Sequence, residues 1–200
     1  MIDTTSLFLH VLSAIGIVGG GLVQVLAGTR VRAATTGRDL ATWAGFARSA
    51  GLVIAGSALL SLLTGGHLAG AVWGGNAGGF ANPFITLGVA GLLLLAPVGP
   101  MVGGARLRRL AAAAEAVGDG PAPATLRRDA HAAALWGPVH SLVGVGVGLV
   151  ALMVYKPSWL AGVVMLVLTF AAGWLAGVIA AGRGSAAPAP SAPTDRNQPV

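Results

Sequence analysis

Cysteine is absent from the 200 residues. That excludes disulfides, thiolate metal sites, iron–sulfur clusters and covalent haem attachment. Charge is almost as scarce. Asp, Glu, Lys and Arg together make up 9% of the chain, against about 25% in a soluble domain. Lysine occurs once, as Lys156, beside eleven arginines. No Asp, Glu, Lys or Arg falls within the runs 4–29, 49–105, 130–155 and 157–182. Such a group at the bilayer centre costs at least about 2.5–3.5 kcal/mol and usually marks an ion or proton path. Its absence argues against a proton-pumping or carboxylate-coupled transporter, and leaves open a channel or carrier lined by backbone and small polar groups. Alternating strand patterns are missing too, so the fold class predicted is all-α.

What is present is apolar: 55% hydrophobic residues, with 32 glycines. Eighteen charged side chains cannot clothe a soluble surface of this size, so the composition predicts an integral membrane protein with the lipid bilayer as its partner. The net charge of +6 lies between apolar blocks and reads as a topology signal, not as a nucleic-acid footprint. The amino terminus carries Asp3 ahead of a long apolar block and does not read as a signal peptide.

A spanning helix needs about 20 apolar residues. The three runs of 26 residues hold one each, and the run of 57 residues holds two. Gly74-Gly75-Asn76-Ala77-Gly78-Gly79 divides the long run. Asn82-Pro83 then starts the next helix, with Asn as cap and Pro at the first helical position. Five transmembrane helices are predicted, at about 5–28, 47–68, 83–104, 133–155 and 159–182. A hairpin at Lys156-Pro157-Ser158 joins the last two, with Ser158 as the cap. Residues 105–132 read as a cytoplasmic helical hairpin turning at Gly118-Asp119-Gly120-Pro121, and 184–200 as a disordered cytoplasmic tail. Pro97 and Pro100 are expected to break the hydrogen-bond ladder of the third helix.

Loops 1 and 3 and the tail hold 11 of the 12 basic residues. The positive-inside rule then places the amino terminus outside and the carboxyl terminus in the cytoplasm of a bacterial plasma membrane. Small pairs at four-residue spacing (Gly16/Gly20, Gly99/Gly103, Gly144/Gly148, Gly173/Gly177) suit close helix packing and offer seams for a homo-oligomer.

Histidine is the remaining ionisable group in the spans. His10, Ser13, Gly20 and Gln24 share one face of the first helix, which is expected to point into the bundle. His67 ends the second helix beyond a stripe of Ser57, Ser61 and Thr64, and His140 lies in the inner third of the fourth. His131 falls at the cytoplasmic boundary. Four readings stand side by side. His10 and His67, at one depth, are candidate haem ligands. His10 with Met153 and Met165, all in the outer half, is a candidate copper site, since thioethers suit Cu(I). His10 is a candidate proton relay or substrate contact. The plain alternative is a neutral histidine hydrogen-bonded to a neighbouring helix. An eight-residue frame shared by His10–Ile17 and His140–Val147 would mark an inverted repeat, although a Gly/Val-rich background produces such matches by chance.

The His10 helix, Leu63-Thr64-Gly65 followed by Trp73, Gly103-Gly104-Ala105-Arg106-Leu107-Arg108-Arg109-Leu110, and Met153-Val154-Tyr155-Lys156-Pro157 together resemble one group. It is the small bacterial integral membrane proteins called domain of unknown function 2269. The resemblance covers roughly residues 5–157, and the last helix and tail look like additions to it. It implies membrane location and no particular activity. A looser likeness is to copper-resistance D-type proteins and to the membrane protoporphyrinogen oxidase group. Those also place a histidine in an apolar first helix, and of their sites only His10 carries over. The sequence thus predicts a non-enzymatic multi-pass membrane protein. The alternatives are a haem- or copper-binding protein centred on His10, and a small oligomeric permease or channel.

Overall fold

A computed structural model of the chain describes residues 2–75 and 78–182. Asn76, Arg183 and the tail at 184–200 lie outside the described residues. The chain is an all-α bundle: α1 (Ile2–Ala33), α2 (Gly37–Ala71), α3 (Pro83–Val98), α4 (Ala105–Glu115), α5 (Ala124–Ala130), α6 (Ala133–Tyr155) and α7 (Trp159–Gly182). Five helical stretches are long and apolar enough to cross a membrane, which is the architecture of a multi-pass membrane protein. Leu22, Leu63, Leu160 and Leu175 are among many large apolar residues left exposed. In water such a surface would aggregate; against lipid tails it is the solvated face.

α1 and α2 run past the limits that charge alone suggests. Arg30 and Arg32 sit in the last turn of α1, where cations oppose the negative end of the helix dipole. The turn is only three residues, Ala34–Thr36. α2 then starts on Thr36, whose Oγ1 accepts from the Asp39 amide at 3.2 Å. The α4–α5 connection clasps this turn. Gly37 and Arg38 donate to the carbonyls of Gly120 and Gly118 (3.0 and 2.7 Å), and Ala122 donates to Thr35 (2.8 Å). A Cβ on Gly37 would lie 2.6 Å from the Ala114 carbonyl, so glycine is what lets the clasp close. The Arg38–Asp119 ion pair beside it is exposed on both sides and adds little.

One expectation needs correction. The Asn82 side chain does not cap α3; its amide donates to the Gly79 carbonyl at 3.0 Å, holding the preceding short 3₁₀ turn. Pro97 and Pro100 interrupt the α-helical ladder of the third span without ending it. After Pro97 the chain widens into a π-helical turn over Gly99–Gly104 and continues directly into α4, as π-bulges do where a regular bond is lost. α6 and α7 keep the expected limits. Lys156 closes α6 in the left-handed conformation (φ 46°), its amide on Leu152 O at 2.9 Å. At the start of α7 the Ser158 carbonyl accepts from Gly162 N at 2.8 Å.

The glycine pairs are used inside the chain. A Cβ on Gly16 would strike Ser57 Oγ, and one on Gly20 would lie 2.9 Å from Ile54, so this pair seats α1 on α2. Gly103 meets Val139 of α6. Gly144, Gly173 and Gly177 bring α6 and α7 together backbone to backbone, against the carbonyls of Thr169, His140 and Trp136. α7 has only three buried residues, Gly162, Gly177 and Ala181, and stands at the edge of the bundle.

One end of the bundle gathers the arginines. Leu40, Leu107, Leu110, Val31 and Trp136 form its buried core, Arg32 stacks over Trp136 at 4.7 Å, and the Trp136 indole donates to Ala130 O at 2.7 Å. The opposite end carries Asp3, His67, Trp73, Phe84 and Lys156.

Candidate functional site

The site grows from the α1–α2 register. In antiparallel helices joined by a short turn, the numbers of paired residues add to a nearly constant sum. Asp3 lies across from His67, His10 from Ser61 and Thr64, Gly16 from Ser57, and Gln24 from Ala47. His10 Nδ1 is 3.2 Å from the Ser61 carbonyl and 3.2 Å from Thr64 Oγ1. The carbonyl can only accept. Thr64 gives its own proton to Leu60 O at 2.7 Å and so accepts as well. Ser61 Oγ stands farther off, 3.4 Å from Nδ1. The nearer carbonyl makes Nδ1 the N–H of the ring, and Nε2 then carries the lone pair. Helix backbone sets the tautomer, as a carbonyl does for metal-binding or hydrogen-bonding imidazoles.

The ring needs space to hold this pose. A Cβ on Gly65 would lie 2.9 Å from His10 Cε1 and 3.3 Å from Nδ1, so the imidazole lies flat on a helix with no side chain at that point. Nε2 has no hydrogen-bond partner among the described residues and is not sealed off from the solvent probe. His10 lines a cavity of about 310 Å³ between α1, α2, α3 and the end of α6.

The other walls are Leu7, Leu62, Ile85, Val89 and Leu92, with Trp73 and Phe84 edge to face at 5.2 Å between centroids. Lys156 stands at the rim. Its Nζ lies 4.7 Å from the Trp73 ring and 5.8 Å from Phe84, within cation–π reach. No carboxylate among the described residues lines the cavity. Met153 lines it too and packs its methyl against Gly88, 2.6 Å from where a Cβ would stand. The arrangement offers one fixed lone pair inside, one cation at the mouth and an apolar, partly aromatic wall between them.

The remaining candidate residues go elsewhere. His67 does not turn to His10. Its Nε2 meets Asp3 Oδ1 at 3.1 Å, one heptad and about 10 Å along α1 from His10, which leaves the expected haem pair unassembled. Met165 packs against the central cluster of Leu92, Leu95, Leu149 and Leu152, so the structure brings His10 and Met153 together without it. Ser13 is buried and donates to the His10 carbonyl at 2.7 Å, and Gln24 donates to Ala47 O at 3.1 Å. His140 donates from Nδ1 to Trp136 O at 2.9 Å within its own helix, at the arginine end and far from His10. Among the described residues no three His, Asp or Glu side chains group as a metal site.

The sequence places Lys156 in a hairpin and Trp73 beyond the second helix, and joins neither these nor Phe84 to His10. One signal could have joined them: a single lysine in a chain of arginines, at the same depth as the aromatics. No known protein family matches the chain, and comparisons with curated proteins and with solved structures also find no match.

Proposed function

We propose that the chain is a non-enzymatic, multi-pass protein of a bacterial plasma membrane that holds a small amphipathic ligand in the His10 cavity, which opens at the outer leaflet. The observation that carries this reading is the accessible Nε2 of His10, fixed as an acceptor by Ser61 and Thr64, in one cavity with the Lys156 ammonium. The matching ligand has an apolar body, a hydroxyl or N–H for Nε2 and an anionic or carbonyl oxygen for Lys156. The His10 Nδ1–H ends on a helix carbonyl, not on a carboxylate, so nothing carries a proton away from the ring. That favours holding a ligand over acid–base chemistry on it. Nine of the arginines lie at the other end of the bundle. This supports the amino terminus outside and the carboxyl terminus inside; a reporter fused after Val200 is expected to be active only in the cytoplasm, and periplasmic activity would reverse the assignment.

The backbone at Lys156 supports the same reading. A non-glycine residue with φ 46° costs of order 1–2 kcal/mol, and glycine is the usual residue at such a helix end. A lysine at this strained position, with its ammonium at the cavity, is consistent with use of that charge. Lys156→Gly is expected to raise or preserve the melting temperature while lowering ligand occupancy about tenfold, as lost charge-assisted bonds do. A parallel fall in both would mean that the lysine serves only the hairpin. Met153 on the same cavity favours a second reading, a soft metal held by His10 Nε2 and the thioether. A cation there would face the Lys156 charge, which makes the organic ligand the better fit. Stoichiometric copper in purified protein, lost in Met153→Leu, would decide for the metal.

A further inference from the structure

We propose a second site, independent of the His10 cavity: a pocket at the arginine end that takes a phosphate group bearing a hydroxyl. It is a narrow space of about 80 Å³ between α1, α2, the π-helical turn and α6, and both Arg48 and Arg108 line it. The other described arginines are engaged or face elsewhere, and Arg106 and Arg109 line a separate space together with Asp129. Arg38 pairs with Asp119, Arg32 stacks on Trp136 and Arg30 lies over Trp43. Arg48 and Arg108 have no ion pair, ring contact or side-chain hydrogen bond among the described residues, and no carboxylate lines their pocket. Two unopposed guanidinium groups on one small space call for an anion, and phosphate matches their forked donors.

Gln24 supplies the second, independent observation. It is 7% exposed. Its Nε2 donates to Ala47 O at 3.1 Å, which fixes the amide and leaves Oε1 as the acceptor. Oε1 takes no hydrogen bond from any described residue and is not sealed off, and Gln24 is one of the residues that line the pocket. Gly51 makes room for this pose, since a Cβ there would lie 2.8 Å from Nε2. A buried amide oxygen repels a bare phosphate oxygen and accepts from a hydroxyl. The guanidinium groups and the amide therefore select an anion that also donates. Two sources share that chemistry: inorganic phosphate in its hydrogenphosphate form, and a phospholipid whose headgroup carries free hydroxyls, such as phosphatidylglycerol.

The test uses the full chain in phosphatidylcholine nanodiscs doped with phosphatidylglycerol, reading by native mass spectrometry the lipid retained on ejection. The intact chain is expected to retain phosphatidylglycerol over phosphatidylcholine. Arg48→Gln/Arg108→Gln is expected to lower that retention about tenfold or more, the size typical of charge-assisted bonds. Gln24→Leu is expected to erase the preference for phosphatidylglycerol over phosphatidylmethanol, which keeps the phosphate and lacks the hydroxyl. Arg127→Gln/Arg128→Gln removes the same charge from the exposed α5 and is expected to change nothing. Displacement of the lipid by excess inorganic phosphate would identify free phosphate as the occupant of this site, and its persistence would identify the lipid. Unchanged retention in the Arg48/Arg108 variant, or equal loss in the Arg127/Arg128 variant, overturns the proposal.

Discussion

Gly65→Val is expected to empty the His10 cavity while leaving the bundle folded. A valine Cβ would stand 2.9 Å from His10 Cε1, so the ring must leave Ser61 and Thr64. The movable group is the end of a side chain, and the helices can stay where they are. Lost with the pose are the fixed tautomer and the open Nε2, and the branched side chain also takes up cavity volume. Ligand occupancy is expected to fall by about tenfold or more, corresponding to at least about 1.4 kcal/mol. Gly70→Val on the same helix faces open space and is the matched control. Equal occupancy in the two variants would show that the His10 pose does not matter to binding.

The second large effect is structural. Gly173→Val/Gly177→Val is expected to part α7 from α6. The atoms these side chains would meet are the carbonyls of His140 and Trp136, and helix backbone cannot give way as a side-chain tip does. Overpacking costs about 1–3 kcal/mol per site, so roughly 2–6 kcal/mol is expected for the pair. α7 buries little else, so nothing compensates. The absence of cysteine makes a clean reporter. Thr169 Cβ lies 3.4 Å from where a Cβ on Gly148 would stand, close to disulfide geometry. Gly148→Cys/Thr169→Cys is expected to cross-link readily in the otherwise unchanged chain and poorly with both valines present. Equal cross-linking would mean that the seam tolerates bulk.

Much of the fold was legible in the sequence. Lipid leaves helix as the natural way to bury backbone polar groups in these apolar runs, and the limits of α6 and α7 follow from Lys156-Pro157-Ser158. The α1–α2 hairpin was less legible. Arg30 and Arg48 bound the charge-free runs 4–29 and 49–105, and the expected helices stopped near them. Helices outlast the hydrocarbon, however, and the cations Arg30 and Arg32 are stabilising in the last turn of α1. With the turn narrowed to Ala34–Thr36, residue i of α1 falls opposite about residue 72 − i of α2. The stripe of Ser57, Ser61 and Thr64 then meets the His10 face.

The face of His10, Ser13 and Gln24 does turn inward, yet its members do separate things. Ser13 bonds its own helix, His10 opens on one cavity and Gln24 on another. The choice between Met153 and Met165 was out of reach, because depth in the bilayer follows from position along a helix and neighbours follow from helix order. That the broken ladder takes the form of a π-helical turn was equally hidden: Pro97 and Pro100 remove donors, and the glycines around them decide how the chain adapts.

The most direct measurement is native mass spectrometry of the protein, purified from its own membranes in mild detergent, beside His10→Phe. Phenylalanine keeps a ring over Gly65 and removes both nitrogens. The account predicts a small bound molecule on most unaltered chains, absent or at least about tenfold reduced on the variant, with the two proteins melting alike. Chains that carry no ligand, or that carry it equally with and without His10, would contradict it.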